Sequence, residues 1–171
     1  MEFFEVLAKR LSVRAFRKEP IAPEVMTRLL EAVRSAPTAG NLQAYQVYLV
    51  ETPEKIQELA KAAMGQECVS QAAAMLVFCA DAARSSVRYH ERGATLYCIQ
   101  DATIAATLAH LAATALGLGS VIVGAYREAE VSRVIGAPSH QRPVIMLPLG
   151  YPNETPAPTP RRHMEDLVIR K

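Results

Sequence analysis

Three side chains near the N-terminus have the types and spacing that could bind a phosphate group. Arg10, Ser12 and Arg14 lie close together in a strongly basic stretch. The alternation in Val13–Phe16 predicts an extended segment, which would place Ser12 and Arg14 on the same side of the chain. Forked guanidinium donors together with a hydroxyl match the oxygens of a phosphate monoester. The residues indicate a phosphate site, and a solvated arginine-rich turn is the alternative that they leave open.

A second basic pair and two polar loops complete the candidate residues. Arg161 and Arg162 follow a stretch rich in Pro and Thr near the C-terminus. The two loops span Thr38–Gln43 and Gly119–Gly124. A side-chain amide such as that of Asn41 could pair with a ring that carries alternating donors and acceptors. Taken alone the loops would be ordinary turns, so the residues leave the ligand open.

Several common catalytic and metal motifs are absent. Gly117-Leu118-Gly119 precedes a predicted strand and lacks the third glycine of a dinucleotide-binding motif. The four histidines have no ligand spacing, so surface or core positions are expected and no metal site is predicted: His90, His110, His140 and His163. The three cysteines, Cys68, Cys79 and Cys98, include no Cys-x-x-Cys pair, which predicts free buried thiols.

Length and composition predict one ordinary globular domain over residues 1–171. Hydrophobic residues make up 50% of the chain and charged residues 21%. The net charge of +2 gives no support for a nucleic-acid partner or a membrane surface. The first residues lack the basic and apolar regions of a signal peptide, so a cytoplasmic protein is expected.

A long stretch without glycine or proline, Thr95–Leu116, predicts the central helix of the fold. Ala, Leu and Ile fall on nearly every side of a helix with 3.6 residues per turn, which predicts burial all round. A membrane span is the alternative, but residues such as Asp101 and His110 make the segment too polar for hydrocarbon. Its many alanines would allow another helix to approach closely, for example across a dimer axis.

The remaining patterns predict helices interleaved with strands. Helices are predicted at 2–10, 23–35, 53–63 and 128–135, and strands at 45–50, 74–80, 120–124 and 143–149. Residues 65–70 are predicted as loop, and the charged section 81–92 as a solvated excursion that leads into the central helix. From about residue 152 the chain is predicted to continue as an extended arm. The interleaving favours an α+β fold in which helices cover a mixed sheet.

Four segments in this order resemble the FMN-dependent nitroreductase family. They are Arg10–Phe16, Ala36–Gln43, Gln100-Asp101 ahead of Ala112–Ser120, and Leu149–Pro152 followed by Arg161. The resemblance spans most of the chain. It implies an intertwined homodimer with two FMN sites at the subunit interface. It also implies oxidation of NADH or NADPH and reduction of a small electrophilic acceptor, such as a nitroaromatic or a quinone, by a ping-pong mechanism.

The resemblance also implies roles for particular residues. Arg10 and Ser12 would bind the FMN phosphate together with Arg161 or, in the alternative register, Arg162. Arg14 would lie near the pyrimidine edge of the flavin ring, where a cation stabilises negative charge on the reduced ring. A loop reaching the flavin from the other subunit would supply Pro37, Thr38, Ala39 and Asn41. A strand end beside the ring would supply Ile122, Val123, Gly124 and Ala125, with the Gly124 amide as donor. No catalytic side chain is expected, because FMN carries the hydride chemistry.

The chain departs from the family pattern at positions that concern the substrate more than the cofactor. Ala44 and Tyr45 stand where many members have Pro and Trp. The section 81–95 offers one aromatic, Tyr89, as a possible pocket wall, and Gln66 lies near the point where longer members carry further ring contacts. Three alternatives therefore stay open: a specialised flavin enzyme such as a reductive dehalogenase, a flavin-binding protein without turnover, and a structural dimer without cofactor.

Overall fold

Strand β2, Ala74–Asp81, separates two helical layers because its side chains alternate between the two faces of the sheet. Met75 and Val77 belong to one buried cluster, whereas Leu76 and Phe78 belong to another. The computed structural model from which these contacts are taken describes all residues, 1–171. Residues 74–80 of β2 are all apolar because they are buried on both faces, and only the last residue, Asp81, is charged.

The helices and strands have the following bounds. The helices are α1 (Phe3–Lys9), α2 (Pro23–Arg34), α3 (Pro53–Ala62), α4 (Glu67–Ser70), α5 (Ala82–Arg92), α6 (Cys98–Ala115), α7 (Glu128–Ile135) and α8 (Met164–Leu167). The strands are β1 (Tyr45–Val50), β2 (Ala74–Asp81), β3 (Gly119–Ser120) and β4 (Gln141–Gly150). A 3-10 turn covers Ala39–Asn41 and a π-helical turn covers Gly93–Tyr97.

The sheet has the order β1-β2-β4-β3, and every pair of neighbouring strands is antiparallel. The prediction of a mixed sheet is therefore wrong. Val50 at the end of β1 pairs with Met75 at the start of β2, so the helical connection between the two strands leaves and re-enters the sheet at the same end of the strands. A helical connection alone does not require parallel strands, which is why the interleaved pattern did not reveal their direction.

Helices α2 and α6 cover one face of the sheet, and α3 and α7 cover the other. The first layer packs Leu29 and Val33 of α2 and the alanines of α6 against Phe78. The second layer packs Leu59 of α3 and Val131 of α7 against the opposite face. This arrangement confirms the predicted α+β fold with a long central helix.

The central helix differs from its prediction at its start and in its burial. Regular α-helix begins at Cys98, because Gly93–Tyr97 forms the π-helical turn. One face of α6 is buried, but a stripe of side chains is exposed in the single chain: Gln100, Thr103, Ile104 and Thr107. The prediction of burial all round is therefore wrong for one chain by itself.

Of residues 81–92, predicted as a solvated excursion, 82–92 form α5, in which Ser85 is the one buried residue. The Asp81 side chain caps this helix by accepting a hydrogen bond from the Arg84 backbone N–H at 2.9 Å. The helix reverses at His90, whose φ of 49° and ψ of −135° lie outside the helical region. Residues 82–97, here called the hairpin, thus run out along α5 and return through the π-helical turn into α6.

Two shorter elements also differ from expectation, whereas the C-terminal arm agrees with it. Residues predicted as loop at 65–70 contain α4, and the strand predicted at 120–124 reduces to the two residues of β3 plus an isolated bridge between Val123 and Met146. After the Phe16–Pro152 bridge, residues 153–163 form neither helix nor strand, in agreement with the predicted arm. The arm ends in α8, whose Leu167 is exposed, as are Val168 and Ile169 after it.

The three cysteines are free and buried, as the sequence predicts. Burial raises the pKa of the Cys68 and Cys98 thiols and raises the pKa of Cys79 to about 12. None of the helices combines the length and the apolar character that crossing a membrane would need.

Candidate functional site

The predicted phosphate residues line one cavity of about 260 Å³. Its lining consists of Arg10, Leu11, Ser12, Arg14, Pro156, Ala157, Thr159 and Arg161. The N-terminal stretch and the C-terminal arm therefore meet although they are far apart in sequence. Three guanidiniums and two hydroxyls face this space, and no carboxylate belongs to the lining.

Contacts with the sheet edge hold the segment that carries these side chains. The Val13 backbone N–H donates to the Ser120 carbonyl at 3.0 Å, and Phe16 is buried against the backbones of Gly119 and Gly150. A Cβ at Gly150 would lie only 2.9 Å from the Cβ of Phe16, so the approach requires glycine there. Packing of this segment fixes Arg10, Ser12 and Arg14 at the cavity.

Glu154 joins the arm to the same segment. Its carboxylate accepts hydrogen bonds from the backbone N–H groups of Arg14 and, at 3.2 Å, of Ala15. Arg161 donates to Thr159 Oγ1 at 3.2 Å within the arm. Arg162 does not line the cavity and instead donates to the Asp166 carbonyl. Of the two arginines left open by the sequence, only Arg161 faces the phosphate residues.

His110 supports Arg10 from behind, a contact that the sequence did not reveal. The imidazole is buried, with Nε2 lying 3.1 Å from Arg10 Nη1 and Nδ1 lying 2.6 Å from Ser120 Oγ. A guanidinium can only donate, so Nε2 is the acceptor, and the neutral ring carries its proton on Nδ1 and donates it to Ser120. Burial and the adjacent Arg10 charge lower the pKa of His110 to about 4. The ring therefore stays neutral near pH 7 and orients the guanidinium.

A buried aspartate of the central helix holds the loop that contains Pro37, Thr38 and Asn41. Asp101 is 2% exposed and accepts from the Ala39 backbone N–H at 3.0 Å and from the Ala44 N–H at 3.4 Å. The Thr38 hydroxyl accepts from the Gln43 N–H at 3.0 Å. Asp101 is one of the residues that carry the family resemblance, but the resemblance gives it no role. An acidic residue in an otherwise apolar helix is the signal, because a buried carboxylate needs donors.

The loop and the phosphate cavity are separate in one chain. Pro37, Thr38 and Ala39 line a space of about 620 Å³ beside the exposed stripe of α6, and this space shares no residue with the phosphate cavity. Asn41 is exposed, with a φ of 57°, one of three left-handed conformations in this loop together with Gly40 and Gln43. The structure thus does not bring the loop residues to the arginines within a single chain.

The third predicted segment lies at the end of the short strand β3. Val123 is buried and bridges to Met146, whereas Ile122 is 43% exposed. Gly124 lines a smaller space with residues of α7 and β4, and no atom lies within 4 Å of a Cβ built on it. Its surroundings are therefore open enough for a flat ligand to approach the backbone.

The donor set at the cavity fits the phosphate of FMN. Arg10, Arg14 and Arg161 make no ion pair with any carboxylate, so their charge is available to an anion. The hydroxyls of Ser12 and Thr159 add donors of the kind that phosphate oxygens accept. No group of acidic, cysteine or histidine side chains suitable for a metal ion is present.

Comparison with known proteins gives one consistent result. A model of the protein family described as "Nitroreductase family" matches residues 7–151 of the chain. The "FMN reductase [NAD(P)H]" of Bacillus subtilis is 32% identical over 177 residues, covering 96% of this chain and 71% of that protein. The solved structure of NfrA2 from B. megaterium has a TM-score of 0.92 at 26% identity, with coverage of 100% of this chain and 75% of that one.

A second solved structure was determined with a nicotinamide dinucleotide bound. It is the NADPH:FMN oxidoreductase from Vibrio harveyi complexed with NAD+. Its TM-score to this chain is 0.90 at 30% identity, and the match covers 98% of this chain and 76% of that one.

Proposed function

Because the chain belongs to the nitroreductase family, we propose that it is an FMN-dependent NAD(P)H oxidoreductase that reduces a small electrophilic acceptor. The observation that carries this proposal is the cavity in which Arg10, Ser12, Arg14 and Arg161 converge without a carboxylate. Nitroaromatics and quinones are the expected acceptors. Free FMN is a further one, since the relative from Bacillus subtilis is named an FMN reductase.

The protein's contribution is to hold and orient. Arg10, Ser12 and Arg161 would bind the phosphate of FMN, with His110 keeping Arg10 directed into the cavity. FMN held there would supply the redox chemistry between the nicotinamide donor and the acceptor. Arg14 would place its charge where the reduced ring is negative, and the open backbone at Gly124 would offer an N–H donor. Neither role requires a side chain that transfers a proton.

A homodimer is part of the proposal, because one chain leaves several apolar surfaces exposed. Phe3 and Phe4 of α1 are 61% and 80% exposed, and Ile169 at the end of the arm is 80% exposed. A further exposed face, the mostly polar stripe of α6 formed by Gln100, Thr103, Ile104 and Thr107, lies beside the loop at Pro37–Asn41. Pairing of two chains would cover these surfaces and would let the loop of one chain reach the phosphate cavity of the other.

The proposal is tested by colour and by kinetics. Purified protein is expected to be yellow and to release FMN on denaturation. With NADH or NADPH and a quinone varied together, double-reciprocal plots should give parallel lines, because donor and acceptor use one site in turn. Protein that binds FMN but is not reduced anaerobically by either nucleotide would be a flavin carrier instead. Intersecting lines would exclude a single shared site.

A further inference from the structure

The hairpin carries positive charge that no other group of the chain neutralises. Its charged residues other than His90 are Arg84, Arg88, Glu91 and Arg92. Three arginines against one carboxylate give a net charge of +2, which equals the net charge of the whole chain. None of the three takes part in an ion pair. The hairpin therefore offers an anion a concentrated set of free cations.

Two of these arginines are held in place by tyrosine rings. The Arg88 guanidinium lies 5.5 Å from the centroid of Tyr89, and the Arg92 guanidinium lies 5.4 Å from that of Tyr97. The two rings meet edge to face at 5.0 Å, and Arg92 Nε donates to the Tyr97 hydroxyl at 3.0 Å. Neither guanidinium makes a hydrogen bond within the chain through its Nη atoms, so these donors are left for a ligand. Because both groups are already ordered, a ligand loses less entropy on binding them.

The turn of the hairpin is itself a fixed structure. A Cβ at Gly93 would lie 2.5 Å from the Ser85 carbonyl oxygen, so the two arms touch backbone to backbone. His90 keeps a left-handed φ of 49°, which non-glycine residues rarely adopt and which persists where the surroundings impose it. Arg88 and Arg92 are therefore presented on either side of a rigid turn.

The hairpin is attached to the loop that is proposed to reach the partner's flavin. Arg84 Nε donates to the Leu42 carbonyl at 2.6 Å. Arg88 Nη1 lies 3.0 Å from the point that a Cβ of Gly40 would occupy, and the Tyr89 hydroxyl lies nearer still. Wherever this loop is placed in the dimer, Arg88 is carried with it to the same site.

We propose that Arg88 and Arg92 bind the phosphate groups of the nicotinamide dinucleotide donor. The inference rests on the proposed function, in which the other arginine cluster, at Arg10 and Arg161, holds the phosphate of FMN. A quinone or a neutral nitroaromatic carries no charge that needs a second cluster. NADH carries a pyrophosphate, and NADPH carries a further phosphate on the ribose, which forked guanidinium donors match.

The test compares the FMN-loaded wild type with two double variants. R88Q/R92Q removes the two cations from the hairpin, and R28Q/R34Q removes the same charge from exposed arginines of α2 as the control. Binding of ADP and of 2′,5′-ADP is measured calorimetrically. Steady-state kinetics are then measured with NADPH, with NADH and with 1-benzyl-1,4-dihydronicotinamide, a donor that carries no phosphate.

We expect R88Q/R92Q to bind both adenosine phosphates at least tenfold more weakly and to raise KM for NADPH and NADH at least tenfold. Its rate with the benzyl donor and its FMN affinity should equal those of R28Q/R34Q. Equal affinities for the adenosine phosphates in the two variants would overturn the assignment. A loss of FMN binding in R88Q/R92Q would overturn it as well, by placing the arginines at the flavin. Failure of the wild type to oxidise any donor, the benzyl compound included, would instead reject the proposed function.

Discussion

At the scale of single residues, the lining of the phosphate cavity predicts different effects for substitutions at Arg161, which belongs to the lining, and at its neighbour Arg162, which does not. Arg10→Ala and Arg161→Ala should each weaken FMN binding by about 1.5 to 3 kcal/mol, roughly ten- to a hundredfold, because each removes a charge-assisted hydrogen bond to the phosphate. Arg162→Ala is the matched control and should leave the affinity unchanged, since Arg162 bonds the Asp166 carbonyl instead. Flavin titration checks all three. An affinity of Arg161→Ala as unchanged as that of Arg162→Ala would show that the phosphate does not bind at Arg161.

His110 gives a second prediction at this scale, on stability against pH. Its pKa is about 4 in the folded protein and 6.5 in an ordinary environment. Between these values the unfolded chain binds a proton that the folded protein does not. The free energy of unfolding should therefore decrease as pH falls from about 6.5 to about 4, by up to about 3 kcal/mol. Above pH 6.5 the imidazole is neutral in both states, and none of this stability is lost.

The variant His110→Gln isolates this contribution from other titrating groups. A glutamine can accept from Arg10 and donate to Ser120, but it does not titrate. Urea denaturation of both proteins between pH 4.5 and 7.5 should therefore show a steeper decrease for the wild type. Parallel curves for the two proteins would mean that the imidazole is not held neutral by its surroundings.

At the scale of elements, the closed hairpin predicts a specific sensitivity to one methyl group. Gly93→Ala would place a Cβ against the Ser85 carbonyl, a backbone atom that cannot turn away, and should cost about 1 to 3 kcal/mol. Gly124→Ala is the control, because no atom lies within 4 Å of its Cβ and its φ is not left-handed. Thermal unfolding of flavin-free protein should show a lower Tm for the first variant only. A Tm of Gly93→Ala equal to that of Gly124→Ala would mean that the hairpin can open at little cost.

The same hairpin illustrates what the sequence could predict. Helices α2 and α3 were predicted within one or two residues of their bounds, because apolar periodicity and an initial proline mark them. In α5 only Ser85 is buried, so there is no apolar stripe to read, and the cap at Asp81 was the remaining signal. The direction of the strands was missed because helical connections serve parallel and antiparallel pairs alike.

In the candidate site, residues that are close in sequence could be predicted, whereas contacts between distant parts of the chain could not. Arg10, Ser12 and Arg14 follow from their types and spacing, and Arg161 from the family resemblance. The contact between Arg10 and His110 joins residues a hundred positions apart, and only the folded chain brings them together. The loop at Thr38 was found, but its support by Asp101 needed the packing of α6 against it.

At the scale of the whole molecule, complementation tests whether each site draws on two chains. One variant carries Arg10→Ala and Arg14→Ala, and a second carries Thr38→Ala and Asn41→Ala. If each alone binds little FMN, co-refolding should produce about half mixed dimers, in which one site collects all four changes and the other none. Flavin content should then recover to roughly a quarter of that of the wild type.

The control for this experiment is a pair of distinguishable tags, which shows that mixed dimers have formed. Recovery no greater than the average of the two variants, with mixed dimers present, would place the whole site in one chain. That outcome would contradict the proposed dimer while leaving the family membership untouched.

The burial of the three thiols has a consequence for the resistance of the protein to oxidation during turnover. Reduced flavins that meet dissolved oxygen generate hydrogen peroxide, which oxidises a cysteine when the cysteine thiolate attacks it. Cys68, Cys79 and Cys98 are all buried, and their raised pKa values keep them protonated near pH 7. We expect all three to remain unmodified through repeated turnover in air, so that the protein keeps its activity during storage without added reductant.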